Sequence, residues 1–230
     1  MEAKKRIWEI DFFRGIAIVL MIIFHLIVDL KDFYTYNIEY LSGFWYYEGK
    51  ISAILFIIIA GISSTLGRNP VKRGITVFMC GMVITIITYL YNSSIYIRFG
   101  ILHFLGTAML LSPLFSKLNY ILLSIISVCT LIVGNIFSKM TVESPYLFFI
   151  GLVNKNFSSM DYYPLLPWLS IFVLGIIIGK GVYRKGKRLL PFTLSKDPFS
   201  YLGKHSLVIY LLHQPVLLAM LYLLNSLGLL

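Results

Sequence analysis

Arg14, His25 and Asp29 are the residues whose types and spacing point most directly to chemistry. At roughly 100° per residue, with Asp11 set to zero, Arg14 falls near 300°, His25 near 320°, Asp29 near 0° and Asp32 near 300°. All five polar side chains therefore share one face of a single helix, while Ile16, Val19, Leu20, Ile22, Ile23 and Phe24 fill the others. A surface turned to lipid has no reason to align ionisable groups, so the stripe is expected to face protein or a water-filled cavity. Arg14 and His25 lie about 16 Å apart along the axis, too far to touch each other but suited to contact two ends of one elongated ligand. Asp29, one turn beyond His25, is placed to accept a hydrogen bond from one ring nitrogen and hold the other as a base. The plainer assignments are an interfacial Arg14–Asp11 ion pair and a His25 hydrogen bond across a helix contact.

Other candidates stand at the ends of apolar runs. In Ile97-Arg98-Phe99-Gly100-Ile101-Leu102-His103, Arg98 is either a substrate contact or a snorkelling interfacial residue. His103 falls at a depth similar to that of His25, so the two could meet across the bundle; substrate contact and structural hydrogen bond are both open. Asp161, just before Tyr162-Tyr163-Pro164, either orients an acceptor hydroxyl or amine or is a helix-start carboxylate. His213 and Gln214 sit deep in the last apolar run beside Pro215, which frees a carbonyl, as cavity-lining or structural groups. His103 and His213 are also candidates for donating a hydrogen bond to a developing oxyanion. The four histidines have neither HExxH nor close Cys/His spacing, so no metal is expected. Phosphate-loop, dinucleotide and nucleophile-elbow motifs are missing as well.

The elements that carry these residues are set by composition. Of 230 residues, 58% are apolar and 13% charged, and the mean hydropathy is +0.83. These values describe an all-α, polytopic membrane helix bundle rather than a soluble, disordered or disulfide-built chain. Seven spans are expected, at Gly15–Leu30, Ile51–Leu66, Gly74–Tyr91, Phe99–Phe115, Leu118–Phe137, Pro164–Gly179 and Ser206–Leu224. The segment Tyr146–Val153 is too short to cross and reads as an interfacial or re-entrant piece, or as half of a broken eighth span.

Basic residues orient the bundle. Lys4, Lys5, Arg6, Arg68, Lys72, Arg73, Lys117, Lys180, Arg184, Lys185, Lys187, Arg188, Lys196 and Lys204 gather on one side, against Lys31, Lys50, Arg98, Lys139 and Lys155 on the other. The bias predicts a cytoplasmic amino terminus and, for seven crossings, an external carboxyl terminus. It also accounts for the +10 charge without nucleic acid, which would need a basic face on a soluble fold. A signal peptide is disfavoured over the first thirty residues, because the apolar stretch contains Arg14 and His25 and lacks a small-residue cleavage site. Cys80 and Cys129 fall inside spans as packing residues. No polar linker interrupts the chain, so residues 1–230 read as one domain. The long outer connections, Lys31–Lys50 and Ser138–Tyr163, carry many aromatic residues, as a membrane belt or as stacking surfaces for a sugar ring.

The opening Glu9-Ile10-Asp11-Phe12-Phe13-Arg14-Gly15-Ile16-Ala17, with His25 after ten intervening residues, resembles the heparan-alpha-glucosaminide N-acetyltransferase catalytic-domain family. It is similar, too, to the wider group of transmembrane acyltransferases, whose first helix carries an arginine, ten residues and a histidine. The stretches Phe56–Ser64, Phe99–His103, Asp161–Trp168 and Gly203–Leu207 with His213-Gln214-Pro215 extend the likeness over nearly the whole chain. The resemblance implies an enzyme of the cell membrane that moves an acetyl group from cytoplasmic acetyl-CoA to a hydroxyl or amine of an external, sugar-containing acceptor. It implies that Arg14, aided by Arg68, Lys72 and Arg73, holds the donor, and that His25, oriented by Asp29, is the base or acyl relay. Arg98, His103, Asp161, His213 and Gln214 remain candidates for acceptor or oxyanion contacts. Lipid and a second copy of the chain are the further partners this reading admits. The alternative is a proton-coupled permease or exporter in which His25 and Asp29 pass protons.

Overall fold

The computed structural model describes residues 7–67, 69–183, 189–190 and 197–230. It contains eight α-helices among these residues: α1 (Trp8–Tyr34), α2 (Gly43–Leu66), α3 (Pro70–Tyr91), α4 (Ile101–Lys117), α5 (Tyr120–Phe137), α6 (Leu165–Gly181), α7 (Pro198–Lys204) and α8 (Ser206–Ser226). Five of them, α1, α2, α3, α5 and α8, are long and apolar enough to cross a membrane; α4 and α6 are apolar but have 17 residues each, about 25 Å of helix. These seven helices lie where the apolar runs predict spans, in an all-helical membrane architecture. The chain divides into two compact units, one of Met1–Ile59 and Arg188–Leu230, the other of Ala60–Lys187, and α2 contributes residues to both.

In the first unit α1 is the organising element. Glu9 and Asp11 stand in its first turn and Lys31 in its last, the charge order that the helix dipole favours. Thr35 ends it in the left-handed conformation, with its N–H returned to the Leu30 carbonyl. Two glycines let backbone meet backbone where α7 crosses α1: a Cβ at Gly15 would run into the Phe199 carbonyl, and one at Gly203 into the Asp11 carbonyl. The side chain of Asp197 caps α7 by accepting the Ser200 N–H at 2.7 Å, with Pro198 in the first turn, and it accepts the Trp8 indole N–H at 2.6 Å. Glu9, 1% exposed, takes the Leu189 and Leu190 N–H groups at 3.0 and 2.8 Å. Against α2, the Ser52 hydroxyl donates to the Ala17 carbonyl at 3.0 Å, and Gly49 leaves room for the Phe24 ring.

The last expected span, Ser206–Leu224, is α8, and a separate short helix, α7, precedes it. The chain leaves helical geometry at His205 (φ −103°, ψ 15°), so α7 ends there and α8 begins anew. Within α8, Pro215 has no N–H to bond the Leu211 carbonyl.

In the second unit, small residues bring helices close. Gly74 and Gly106 lie in the α3–α4 contact, Ser127 donates to the Ser170 carbonyl at 3.0 Å between α5 and α6, and the α2 residue Gly61 abuts the Phe172 carbonyl. Phe104, Phe172, Val173 and Ile176 are fully enclosed. Ile75, Met79, Val83, Ile86 and Leu90 of α3, and Ile121, Ile125, Val128 and Ile132 of α5, are exposed, which water would penalise and hydrocarbon accepts. Pro113 inside α4 leaves the Met109 carbonyl without its helical donor, and the Ser112 hydroxyl supplies one at 2.8 Å. Residues 146–153 form only a three-residue 3-10 turn, Phe148–Ile150, ended by Gly151 at φ 107°. A turn of that length is no half-span, so the broken eighth span expected as one option does not form.

Candidate active site

Arg14 lies where α1 and α7 cross. Its Nη1 donates to Asp11 Oδ1 at 2.8 Å and to the Gly203 carbonyl at 3.3 Å, and the side chain keeps 18% of its surface exposed. The anticipated ion pair with Asp11 is thus present, and the main chain of α7 fixes the guanidinium from a second side. Both bonds are made by one nitrogen of the guanidinium fork.

About three turns along α1, His25 approaches His213 of α8, with ring centroids 4.8 Å apart and planes 85° from parallel. His25 Nδ1 lies 2.9 Å from the Met21 carbonyl, and His213 Nδ1 2.5 Å from the Tyr210 carbonyl. A carbonyl only accepts, so each neutral ring carries its hydrogen on Nδ1 and its lone pair on Nε2. Nε2 of His213 is buried without a partner.

Asp29 does not orient His25 as its spacing predicts. Its Oδ1 accepts from Gln214 Nε2 at 2.7 Å, and the orienting acceptor of His25 is the Met21 carbonyl one turn earlier. Asp29 is 2% exposed and its Oδ2 is unpaired, as is Gln214 Oε1. Three buried acceptor atoms, on Asp29, His213 and Gln214, therefore surround the meeting of α1 and α8 with no donor to satisfy them. Of the predicted stripe, His25 and Asp29 meet His213 and Gln214 of α8 within the first unit, while Arg14 lies about 16 Å away along α1, against α7. Phe24 stands edge-on to His25 and faces Tyr40, whose hydroxyl donates to Asp32 at 3.1 Å.

The remaining candidates belong to the second unit, where His103, Asp161, Arg98 and Arg73 have partners within the structure. Nδ1 of His103 accepts the Gly100 N–H at 3.2 Å at the start of α4, and its Nε2 faces Thr85 Oγ1 at 3.1 Å. The Thr85 hydroxyl already donates to the Ile97 carbonyl at 2.7 Å, so His103 Nε2 is the donor of that pair and both ring nitrogens are used. Asp161 Oδ2 accepts the Ile101 N–H at 3.0 Å, so it caps the start of α4, 60 residues away, and not the helix that follows it as its position before α6 predicts. Burial pushes its carboxyl up to about 6, and the N–H groups of Ile101 and Tyr162 oppose that rise. The Arg98 guanidinium lies between the rings of Tyr96 and Phe157 at 5.0 and 5.3 Å, and its Nε is buried and unpaired. Arg73 Nη2 donates to the Ser63 carbonyl at 2.9 Å and closes the end of α2, while Lys72 is exposed. Arg68 lies outside the described residues.

Sequence reading misses several contributors. The carbonyls of Met21 and Tyr210 have no side-chain signature, and Gly203 holds Arg14 through its own carbonyl. Glu48, in the first unit, is 8% exposed with both carboxylate oxygens unpaired; an acid among the aromatic residues just before the span at Ile51 is the available signal.

A family model for the heparan-alpha-glucosaminide N-acetyltransferase catalytic region matches residues 6–215, from before Arg14 to Pro215. The chain belongs to this family. Membership and the apolar helices together make it a multi-pass membrane protein of an acetyltransferase family. No curated protein and no solved structure gives a match. No cluster of three or more metal-ligating side chains occurs among the described residues, and Cys80 and Cys129 are free thiols.

Proposed function

We propose that this membrane acetyltransferase takes its acetyl group from cytoplasmic acetyl-CoA and delivers it to a hydroxyl or amine of a sugar-containing acceptor on the outer side. The observation that carries this reading is His25. Its Nδ1–H is held by the Met21 carbonyl, which leaves a basic Nε2 on the helix face that also carries Arg14. Arg14, oriented by Asp11 and Gly203, is suited to the anionic end of the donor, about 16 Å of helix from His25. A pantetheine arm is an elongated chain of the kind that can bridge such a distance.

In the proposed reaction the acceptor atom attacks the thioester carbon while His25 Nε2 removes its proton; the carbon–sulfur bond then breaks and coenzyme A leaves toward the cytoplasm. Asp29 and Gln214 present unpaired acceptor oxygens, which fit an incoming group rich in O–H or N–H donors. His103 and Asp161 are assigned to holding α4, and Arg73 to the end of α2. Arg68 and Lys72 stay as candidates for the donor phosphates.

The test is transfer of labelled acetyl from acetyl-CoA to glucosamine or glycerol by the purified full chain. The expected outcome is transfer by the unaltered chain and none by His25→Ala at equal folded yield. Equal activity of an equally abundant His25→Ala chain rejects His25 as the base, and proton-linked uptake without acyl consumption replaces the reading with transport.

A further inference from the structure

We propose that His213 takes over the proton that His25 removes from the acceptor, so that two imidazoles serve the transfer. The inference rests on the acyl-transfer reading above and adds a second proton-carrying residue to it. Four observations on two helices support it. The rings meet edge to face with centroids 4.8 Å apart, a separation across which one bridging water can carry a proton while both rings keep their orientation. Each ring is pinned at Nδ1 by a carbonyl of its own helix, so the two free lone pairs are both on Nε2. Nε2 of His213 is buried with no hydrogen-bond partner, a state that folded proteins rarely leave without a use. Gln214, the next residue, is bonded to Asp29, one turn from His25, so α8 cannot slide along α1 and separate the pair without breaking that bond.

The proton balance follows from the tautomers. As the acceptor oxygen or nitrogen bonds the thioester carbon, its proton goes to His25 Nε2. The imidazolium now has an N–H at Nε2, and His213 has a lone pair at the same position, so the proton passes between them. His213, protonated at Nε2, gives that proton to the departing thiolate, coenzyme A leaves as the thiol, and both rings are neutral again. No external acid is consumed. The same geometry modifies the oxyanion role expected of His213. In its neutral form the only N–H of the ring is on the Tyr210 carbonyl, so it offers an oxyanion nothing until it has gained the proton.

The test uses the purified full chain with acetyl-CoA and glucosamine, comparing His213→Gln and His213→Ala with the unaltered protein. We expect kcat to fall about ten- to hundredfold, with KM for both substrates within about twofold. Rates in mixed light and heavy water should follow a bowed curve for the unaltered chain and a straight line for the variants, because one moving proton is lost from the rate-limiting step. Added imidazole should restore part of the activity of His213→Ala. Unaltered kcat in either variant overturns the proposal, as does a raised KM with unchanged kcat, which marks a binding residue. A low kcat with a bowed curve and no imidazole rescue assigns His213 to structure and also overturns it. If His213→Ala does not fold, His213→Gln, which keeps most of the volume, decides through the kcat and isotope readouts. If the unaltered chain moves no acetyl, both readings fall; if it does, and His25→Ala does not, fast His213 variants remove only the present one.

Discussion

Asp161→Asn separates the two roles open to Asp161, and its effect can be worked from the structure. The carboxyl is pushed from 3.8 up to about 6, chiefly by burial, so the folded state holds a proton there that the unfolded state releases. For an acid raised in this way, the folded state binds more protons between about pH 4 and pH 6, and stability falls as pH rises through that window. A shift of about two units corresponds to at most about 3 kcal/mol by pH 7. The amide of Asn offers the Ile101 and Tyr162 N–H groups a single neutral oxygen in place of the carboxylate, which costs about 1 kcal/mol. Asp161→Asn is therefore expected to match or fall slightly below the unaltered chain at pH 4 and to exceed it by about 2 kcal/mol at pH 7, a rise of roughly 4–8 °C in unfolding temperature. Asp161→Ala, which removes the cap, should lie about 1 kcal/mol below Asp161→Asn at both pH values. Thermal unfolding of the purified chain in mild detergent reads all three. A gap between the unaltered chain and Asp161→Asn that does not widen with pH refutes the electrostatic account. Loss of acetyl transfer in a stable Asp161→Asn chain refutes the purely capping role.

Arg14→Gln should weaken acetyl-CoA binding by about tenfold or more while leaving the fold intact; unchanged donor affinity in a direct binding assay counts against its assignment. Gln214→Leu strips the enclosed Asp29 of its Gln214 hydrogen bond and is expected to cost about 3 kcal/mol, with much of that recovered in the Gln214→Leu, Asp29→Leu pair, so a double-mutant cycle showing no coupling would contradict the contact. Gly203→Ala should lower the folded yield sharply, because its methyl meets the Asp11 carbonyl; normal yield and unfolding temperature would show that α1 and α7 can part without penalty.

What can be read from the sequence depends on the range of each interaction. Apolar length marks all seven long helices, and the rotation of about 100° per residue places Arg14, His25 and Asp29 on one stripe, because both patterns are local to a single helix. The start of α7 is legible in Asp197-Pro198, a capping residue followed by a first-turn proline, but the apolar residues after it run on into α8 without a break in pattern. His103 is only three residues from Gly100, yet its residue type leaves substrate contact and structural hydrogen bond equally open, because the N–H it accepts belongs to the main chain. No such spacing exists for Asp161, since the N–H it accepts is 60 residues distant. Spacing alone assigns Asp29 to the nearest basic ring along its own helix, whereas its partner is 185 residues away on another. The carbonyls that fix both histidines belong to Met21 and Tyr210, whose side chains give no hint of that service.

One grip on Arg14 comes from the Gly203 carbonyl, an atom supplied by the peptide bond itself. A peptide oxygen has no proton to gain or lose in the physiological range, and exchanging one residue type for another does not remove it. The guanidinium therefore keeps one anchor that acidity cannot loosen, and its bearing follows the path of the α7 backbone as well as the Asp11 carboxylate.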